Sequence, residues 1–486
     1  MSNLSDLIPA GGGQNNTDFV ADGGITSGKP VILTAAGKAA PITGATEAVG
    51  TPVVFEAANT GGTACTFDSD SNKVVIAYSD NDNSSYGTGI VGTVSGTAIS
   101  YGSPTVFASV GMDKPVATFD SNSNKVVIAY RDSDNSSYGT AVVGTVSGTG
   151  ISFGTPVVFE SASINFDTIT FDSDSNKVVI AYNDIVNSGY GTGIVVTVSG
   201  TAISFGTAAV FESAEVGDCS ATFDSNENKV VVAYRDGGNS WYGTAAVGTV
   251  SGTSISFGTP VVFELANTES CAATFDSNSN KVVIAYKDGG NSGYGTAIVG
   301  TVSGTAISFG TAVAFETARS EAIVATFDSN ANRVVLAYKD YGGSGHGETI
   351  AGTVSGTAIS FGTPAVFEAA DIEYNSITFD SDSNKVVTTY NDEGNSSHGT
   401  AVVITTGYTT LTSTNLLGIA SAAISDTATG TINTWGSRNE VQTSLTIGSD
   451  YYVQEDGTIT TTSTSPAQLI GKAISATQIN IKDYTG

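Results

Sequence analysis

Residues 119–160 read FDSNSNKVVIAYRDSDNSSYGTAVVGTVSGTGISFGTPVVFE, and near-copies of this stretch fill most of the chain. The copies recur every 52 residues, and each opens with a Phe-Asp pair followed by a cation and a tyrosine at constant spacing. The opening phenylalanines are Phe67, Phe119, Phe171, Phe223, Phe275, Phe327 and Phe379. Seven copies without an insertion show that one structural unit is repeated along the chain.

Each copy is predicted to form four short β-strands. In the second copy, strand a covers Val116–Asp120, strand b Lys125–Tyr130, strand c Thr140–Val146 and strand d Thr149–Glu160. Strand b is rich in β-branched residues, and the glycine of the Ser-Gly turn before strand d supplies the positive φ of a tight hairpin. Four antiparallel strands in a repeat of this length are typical of a β-propeller blade, and an open solenoid is the alternative.

The ends of the repeat array favour a closed ring over a solenoid. The seventh copy stops after Ala401–Thr405 and has no final strand. The missing strand precedes the first copy, because Gly50–Glu56 reads GTPVVFE and is identical to Gly154–Glu160. An N-terminal strand that completes the last blade removes the exposed edges of an open array. We therefore predict an all-β fold, a seven-bladed β-propeller of four-stranded repeats over residues 45–408, closed by an N-terminal strand.

The two ends of the chain, residues 1–44 and 409–486, are predicted to form a small β domain into which the propeller is inserted. Gly28–Leu33 has the spacing of Gly448–Val453, and each is followed by a further glycine at the same distance. Both segments indicate a strand, a turn that contains glycine, and a returning strand.

The composition excludes several kinds of partner. Lys+Arg total 18 against 46 Asp+Glu, a formal net charge of -28, which repels nucleic acid and anionic lipid. Because of this charge, we do not expect nucleic-acid binding. No apolar run is long enough to cross a bilayer, so we do not expect membrane insertion either. The opening residues lack the basic and apolar regions of a secretory signal. Cys65, Cys219 and Cys271 are expected to be unpaired core residues, since a propeller would hold Cys219 and Cys271 in separate blades.

The terminal segments resemble a group of viral proteins. The run from Leu416–Ala420 through Ile447–Val453 to Leu469–Ala473 is similar to the small β modules that end virion structural proteins of tailed bacteriophages. Gly24–Gly37 is similar to the start of such proteins. The resemblance implies a fibre, spike or decoration protein located in the virion. Such a protein would contact other virion proteins through its terminal β domain and would form a homo-oligomer.

Sequence variation among the copies is confined to one face of the predicted ring. The a–b and c–d turns are nearly identical, whereas the segments between strand d and the next strand a differ. The variable segments are residues 57–63, 109–115, 161–167, 213–219, 265–271, 317–323 and 369–375. They share a face with the b–c loops, and variation restricted to one face indicates a recognition surface. We predict that this surface binds a host-surface glycan or protein.

The candidate ligand-binding residues on this face are four cations and two aromatic residues: Arg131, Arg235, Lys287, Lys339, Trp241 and Tyr242. Each cation follows the tyrosine of strand b, and the aromatic residues stand in the b–c loop after Arg235. Aromatic rings beside arginine suit a sugar ring or a protein epitope. The alternative is that the cations pair with loop carbonyls or with the aspartates that follow them, Asp132, Asp236, Asp288 and Asp340.

The a–b turn offers a candidate calcium site at Asp68, Asp70 and Asn72, which place oxygen ligands at alternate positions. The turn recurs at Asp120, Asp172, Asp224, Asp276, Asp328 and Asp380. The glycine and distal glutamate of an EF-hand are missing from the turn, and Asx-turns that cap a hairpin explain the same residues without metal. We expect no metal and no cofactor.

No catalytic site is predicted. His346 and His398 occupy positions where other copies carry tyrosine, which indicates framework substitutions rather than an acid–base pair. No nucleophile-elbow, phosphate-binding or metal-hydrolase motif occurs in the sequence. The leading hypothesis is a non-enzymatic virion surface protein, a fibre or spike, whose propeller binds a host receptor. The alternatives are a purely architectural head or tail decoration protein and a sialidase-like glycan hydrolase.

Overall fold

The computed structural model describes residues 15–34, 37–42, 47–407, 411, 415–454, 457–463 and 468–482, without the side chains of residues 166 and 167. The chain divides into two compact units. The propeller unit is Glu47–Thr406, and the terminal unit combines Met1–Thr46 with Gly407–Gly486. Within the described ranges, no helix has the length and apolar character needed to cross a bilayer.

The propeller unit is a closed ring of seven antiparallel blades, as the repeat predicts. Strands b of blades 1 to 7 are Lys73–Asp80, Lys125–Asp132, Lys177–Asp184, Lys229–Asp236, Lys281–Asp288, Arg333–Asp340 and Lys385–Asp392. Strands c are Tyr86–Ser95, Tyr138–Ser147, Tyr190–Ser199, Tyr242–Ser251, Tyr294–Ser303, His346–Ser355 and His398–Thr405. These two strands form the middle of each blade. Successive Val, Ile and Ala side chains point to opposite faces of the blade, and both sets are buried against neighbouring blades.

Strand d of each blade has two parts, both paired with strand c. The short first parts of blades 1 to 6 are Ala98–Tyr101, Gly150–Phe153, Ala202–Phe205, Ser254–Phe257, Ala306–Phe309 and Ala358–Phe361. The second part continues into strand a of the next blade, so that one 16-residue strand links two blades. The linking strands are Val53–Asp68, Thr105–Asp120, Val157–Asp172, Ala209–Asp224, Val261–Asp276, Val313–Asp328 and Ala365–Asp380.

The variable segments, which the sequence places between separate strands d and a, are therefore bent parts of one continuous strand. Pairing between strands a and b shifts register within each of them, for example between Asn165 and Thr168. Such a β-bulge bends a strand without ending it. Several bulges contain a residue with positive φ that is not glycine, namely Lys114, Asp218, Ser270, Ala322 and Tyr374.

The N-terminal strand closes the ring, which confirms the prediction. Ala48–Val49 and the start of Val53–Asp68 pair with strand c of blade 7. Val49 lies opposite Ile404, and Val54 lies opposite Thr400. Blade 7 thus takes its outer strand from the opposite end of the unit.

A buried tyrosine in strand b anchors each blade. Tyr78 is fully buried, its ring lies 5.2 Å from that of Phe55, and its hydroxyl donates to Glu56 at 2.8 Å. The equivalent Tyr–Glu hydrogen bonds are Tyr182–Glu160, Tyr234–Glu212, Tyr286–Glu264 and Tyr390–Glu368, and in blade 6 Tyr338 donates to Glu348 of strand c. A buried tyrosine hydroxyl needs such a hydrogen-bond partner. Blade 2 lacks this Tyr–Glu pair, because Ala108 stands in place of the glutamate.

The terminal unit contains two five-stranded sheets with the same strand order. From edge to edge, the first is Asn16–Val20, Thr429–Asn433, Leu416–Ala420, Pro30–Leu33 and Ala39–Pro41. The second is Arg438–Asn439, Gln478–Ile481, Gln468–Ser475, Asp450–Val453 and Ile459–Thr460. In chain order, both sheets place their first, fifth, fourth, second and third strands side by side. The unit therefore consists of two copies of one module, and the propeller unit interrupts the first copy between its third and fourth strands.

Matched hydrogen bonds support this duplication. The Gly28 amide donates to the Ala420 carbonyl at 2.9 Å, and the Gly448 amide donates to the Ala473 carbonyl at 2.8 Å. One hydrophobic cluster contains side chains of both sheets, including Ile32 of the first and Val453 of the second. The two modules thus share a core that draws on both ends of the chain.

Candidate functional site

The predicted recognition surface consists of the seven variable segments and the seven b–c loops, and we call it the variable face. The aspartate that ends strand b holds the loop after it. Asp132 Oδ1 accepts from the Asn135 amide at 3.1 Å, and Asp236 Oδ1 accepts from the Gly238 amide at 2.9 Å. Asp288 and Asp340 cap their loops in the same way. These aspartates are therefore loop caps, and the neighbouring cations have other partners than the sequence suggested.

The two candidate arginines pair with carboxylates of the variable segments. Arg131 forms an ion pair with Asp113 of its own blade. Arg235 lies between two carboxylates, with Nε 3.1 Å from Asp218 Oδ2 and Nη1 4.0 Å from Glu269 Oε1 of the next blade. Both arginine side chains are about three-quarters buried.

The two candidate lysines each bridge two carboxylates. Lys287 Nζ lies 2.6 Å from Glu269 and 2.8 Å from Glu321. Lys339 Nζ lies 2.6 Å from Asp371 and 2.7 Å from Glu373, and its side chain is only 4% exposed. Because Glu269 contacts both Arg235 and Lys287, the charged network continues from blade to blade along the variable face.

Trp241 is the most unusual residue of this face. Its φ is +62°, in the left-handed region that bulky residues rarely occupy, and the equivalent residues of the other blades are serine or glycine. The guanidinium carbon of Arg235 lies 4.7 Å from the centre of the Trp241 ring. Strained backbone of this kind is concentrated at ligand sites. Trp241 was proposed from the sequence as a ligand-binding residue, and the structure places it against Arg235.

Two glycines of blade 4 leave room for this pair. A Cβ on Gly217 would collide with Arg235 Nε, and a Cβ on Gly237 would lie 2.9 Å from the edge of the Trp241 ring. Blade 4 is the one repeat with glycine at both positions. A comparison of the copies for this pair of glycines could have located the site from the sequence. The fold was needed to show that Asp218 and Glu269 are neighbours of Arg235.

The carboxylates beside Arg235 have opposite pKa shifts. Burial raises the pKa of Asp218, and the Arg235 guanidinium offsets only part of this effect. The hydrogen bond from Lys287 lowers the pKa of Glu269. The site therefore combines an aromatic ring, a cation and two acids of different strength.

Tyr242 lies elsewhere in the architecture than Trp241. It is half-buried at the first position of strand c, where blades 1, 2, 3 and 5 also carry tyrosine. His346 and His398 begin strand c in blades 6 and 7, at the same framework position. Tyr242 and the two histidines thus share a position that repeats around the ring.

A central channel of about 300 Å³, not foreseen from the sequence, is lined by strand a of every blade. Its hydroxyl groups link neighbouring blades: Thr168 Oγ1 accepts from the Ala221 amide at 3.0 Å, and Ser220 Oγ accepts from the Ala273 amide at 2.9 Å. All three cysteines are free and line the same channel. The channel wall therefore uses its polar groups to join blades.

The a–b turns form Asx-turns. Asp68 Oδ1 accepts from the amides of Asp70 at 2.9 Å and Ser71 at 3.0 Å, and Asn72 is left-handed with φ +54°. All seven turns repeat these hydrogen bonds. Among the residues that the structure describes, no three His, Cys, Asp or Glu side chains form a group suited to a metal ion.

No protein family model matches the chain, and no curated protein sequence matches it. Solved structures are similar in fold. The BP39L lectin from Burkholderia pseudomallei is 12% identical over 73% of this chain and 98% of the lectin, with a TM-score of 0.52. A protein of unknown function from Dyadobacter fermentans is 11% identical over 75% and 99%, with a TM-score of 0.45. A leech intramolecular trans-sialidase is 10% identical over 73% and 68%, with a TM-score of 0.42. At such low identity, the likeness to the lectin shows a shared propeller fold and nothing further.

Proposed function

We propose that the variable face of the propeller unit binds carbohydrate, with Trp241 at the centre of the site. The observation that carries this proposal is Trp241 itself, whose backbone has a positive φ and whose ring is covered by the Arg235 guanidinium. Arg235 in turn forms ion pairs with Asp218 and Glu269. An aromatic face packs on the apolar side of a sugar ring, and carboxylates accept hydrogen bonds from its hydroxyl groups. The shared fold of a lectin is compatible with this function.

The charges of the variable face favour a neutral sugar over an acidic one. Five cations on it each lie within 4 Å of a carboxylate: Arg131, Arg235, Lys287, Arg319 and Lys339. An anionic sugar would have to compete with these carboxylates for the cations, and the chain as a whole carries a net charge of -28. We therefore propose a neutral, hydroxyl-rich glycan as the ligand.

A glycan array with neutral and sialylated glycans tests the proposal. The wild type is expected to bind neutral glycans. The Trp241→Ser variant is expected to bind them roughly 30-fold more weakly or worse, because losing an aromatic hot spot costs about 2 kcal/mol of binding free energy. Serine occupies this position in blades 1, 2 and 7, so the variant suits the local backbone. Ser137→Ala, at the same loop position in blade 2, is the matched control. A wild type that binds no glycan on the array would sink the proposal.

For the biological setting, we propose a virion surface protein whose terminal unit attaches to other virion proteins and whose propeller unit contacts the host glycan. The resemblance of the terminal segments to virion structural proteins supports this role. Electron microscopy of purified particles is the test. A propeller with its variable face exposed to solvent is the expected result, whereas a variable face buried against neighbouring subunits would favour a purely architectural role.

Glycan hydrolysis is the second candidate, and the opposite pKa shifts of Asp218 and Glu269 favour it. Many glycosidases use one carboxyl group of raised pKa as the acid and an ionised one as its counterpart. Fluorogenic neutral glycosides and a sialoside serve as substrates. Turnover by the wild type that disappears in the Asp218→Asn variant would show that the protein is an enzyme. Turnover of the sialoside would support the sialidase-like alternative. Glycan binding without turnover would support a lectin.

A further inference from the structure

The contact between blades 6 and 7, where the ring closes, differs from the other contacts between blades. In blades 1 to 6, the short first part of strand d contributes an isoleucine that is at most 9% exposed. In blade 2 this residue is Ile151, which belongs to one hydrophobic cluster with Val75, Ala77 and Val91 of blade 1. The other five are Ile99, Ile203, Ile255, Ile307 and Ile359. In the segment that completes blade 7, the equivalent residue is Glu47.

The facing wall of blade 6 carries matching changes. Thr349 stands where the other blades have alanine or glycine, and Ala351 stands where they have valine. Arg333 replaces a lysine, and it is buried whereas the six lysines are half-buried. Both carboxyl oxygens of Glu47 are shielded from solvent and make no direct hydrogen bond to a described residue. The polar groups close enough to lower its pKa are the Thr349 hydroxyl and the Arg333 guanidinium. At this contact a shielded carboxyl group therefore meets a polar wall, whereas the other six contacts place an isoleucine against apolar side chains.

The repeats create a problem of correct closure that hydrophobic packing does not solve. The closing strand Gly50–Glu56 is identical in sequence to Gly154–Glu160, so it fits strand c of several blades equally well. At any other blade, Glu47 would face valine and alanine or glycine, and burying a carboxylate there without a partner is costly. A single buried polar contact is a known means of specifying register among otherwise equivalent packings.

We propose that Glu47, Arg333 and Thr349 select the N-terminal segment as the strand that closes the ring at blade 7. Docked on any other blade, Glu47 places its shielded carboxyl group against apolar side chains. An isoleucine-bearing strand docked on blade 6 leaves Arg333 and Thr349 facing an apolar side chain. The three residues thus act as a matched set, which sacrifices some stability to exclude incorrect pairings.

A full-length variant in which the contact between blades 6 and 7 carries the residues of the other blades tests this proposal. The variant combines Glu47→Ile, Arg333→Lys, Thr349→Ala and Ala351→Val, so every residue is one that the other blades already use. We expect purified wild type to be a single species with a protected closing strand. We expect the variant to keep its thermal stability but to contain oligomers or open rings, in which residues 53–59 exchange amide hydrogens at least 10-fold faster. Glu47→Ile alone is the mismatched control, which should lose stability as well.

A pH titration provides a second readout that does not depend on misfolding. Burial raises the pKa of Glu47 from 4.5 to about 7, although Thr349 and Arg333 lower it in part. Between these two pH values the folded chain keeps a proton that the unfolded chain has lost, so the stability contributed by this group falls as the pH rises toward 7. Relative to Glu47→Gln, the unfolding constant of the wild type should rise on the order of 100-fold between pH 4.5 and 7. A pH-independent ratio, or a repeat-like variant with a single fully protected species, would overturn the proposal.

Discussion

The guanidinium of Arg235 stacks on the ring of Trp241 at 4.7 Å, and blade 4 is the one blade in which glycines at positions 217 and 237 make space for the pair. The same guanidinium forms ion pairs with Asp218 and Glu269. Blade 4 thus has a position whose chemistry the other blades do not repeat. The following predictions test this position and the framework around it.

Gly217→Ala should displace Arg235 from Trp241, because the added Cβ collides with the guanidinium Nε. Overpacking of this kind costs about 1–3 kcal/mol, and the freed Trp241 ring should change its fluorescence. Denaturant unfolding and emission spectra measure both effects. An unchanged emission spectrum would show that Gly217 does not control the stacking.

Lys339→Ala should destabilise the propeller unit by about 2–4 kcal/mol, because it removes a buried cation shared by Asp371 and Glu373. Arg319→Ala is the matched control, since the Arg319 side chain is 53% exposed and its pairing with Glu321 should contribute less than about 1 kcal/mol. Chemical denaturation of both variants gives the comparison. Equal losses would mean that burial does not govern these ion pairs.

Tyr182→Phe should cost about 0.5–1.5 kcal/mol, because the hydroxyl donates to Glu160 at 3.0 Å. Tyr130→Phe should cost less, since Ala108 occupies the place of that glutamate in blade 2. Thermal melts of the two variants test the difference. A larger loss in Tyr130→Phe would contradict the assigned role of the Tyr–Glu pair.

The thiols of Cys65 and Cys271 should react slowly in the native protein at pH 8. Burial raises the pKa of Cys65 to about 11 and that of Cys271 well above its ordinary value, so almost no thiolate is present. Ellman's reagent should modify both only after unfolding. Rapid modification of either residue in the folded protein would show that the channel wall is open to the reagent.

The terminal unit should fold without the propeller. Its first module lacks only a connection between Ala39–Pro41 and Leu416–Ala420, and its second module makes the equivalent connection through the short segment 461–467. A chain in which residues 47–406 are replaced by that segment should give a β-rich circular dichroism spectrum and dispersed amide resonances. A disordered product would show that the terminal unit depends on the insertion.

The sequence by itself determined the ring, its seven blades and the strand that closes it. Those features follow from a 52-residue period and from the displaced copy at Gly50–Glu56, because periodic patterns of apolar and turn residues report local structure directly. The sequence also pointed to Arg235 and Trp241 as unusual residues. Whether they bind a ligand, and whether the protein belongs to a virion, stay predictions.

Only the tertiary structure decided which residues meet. Asp132 and its equivalents cap loops, while Arg235 pairs with Glu269 of the next blade, 34 positions along the chain. Likewise Glu47 meets Arg333 and Thr349 because ring closure brings the first strand of the unit against blade 6. Partners across blades are set by the geometry of the ring, and the spacing of residues within one repeat does not encode that geometry.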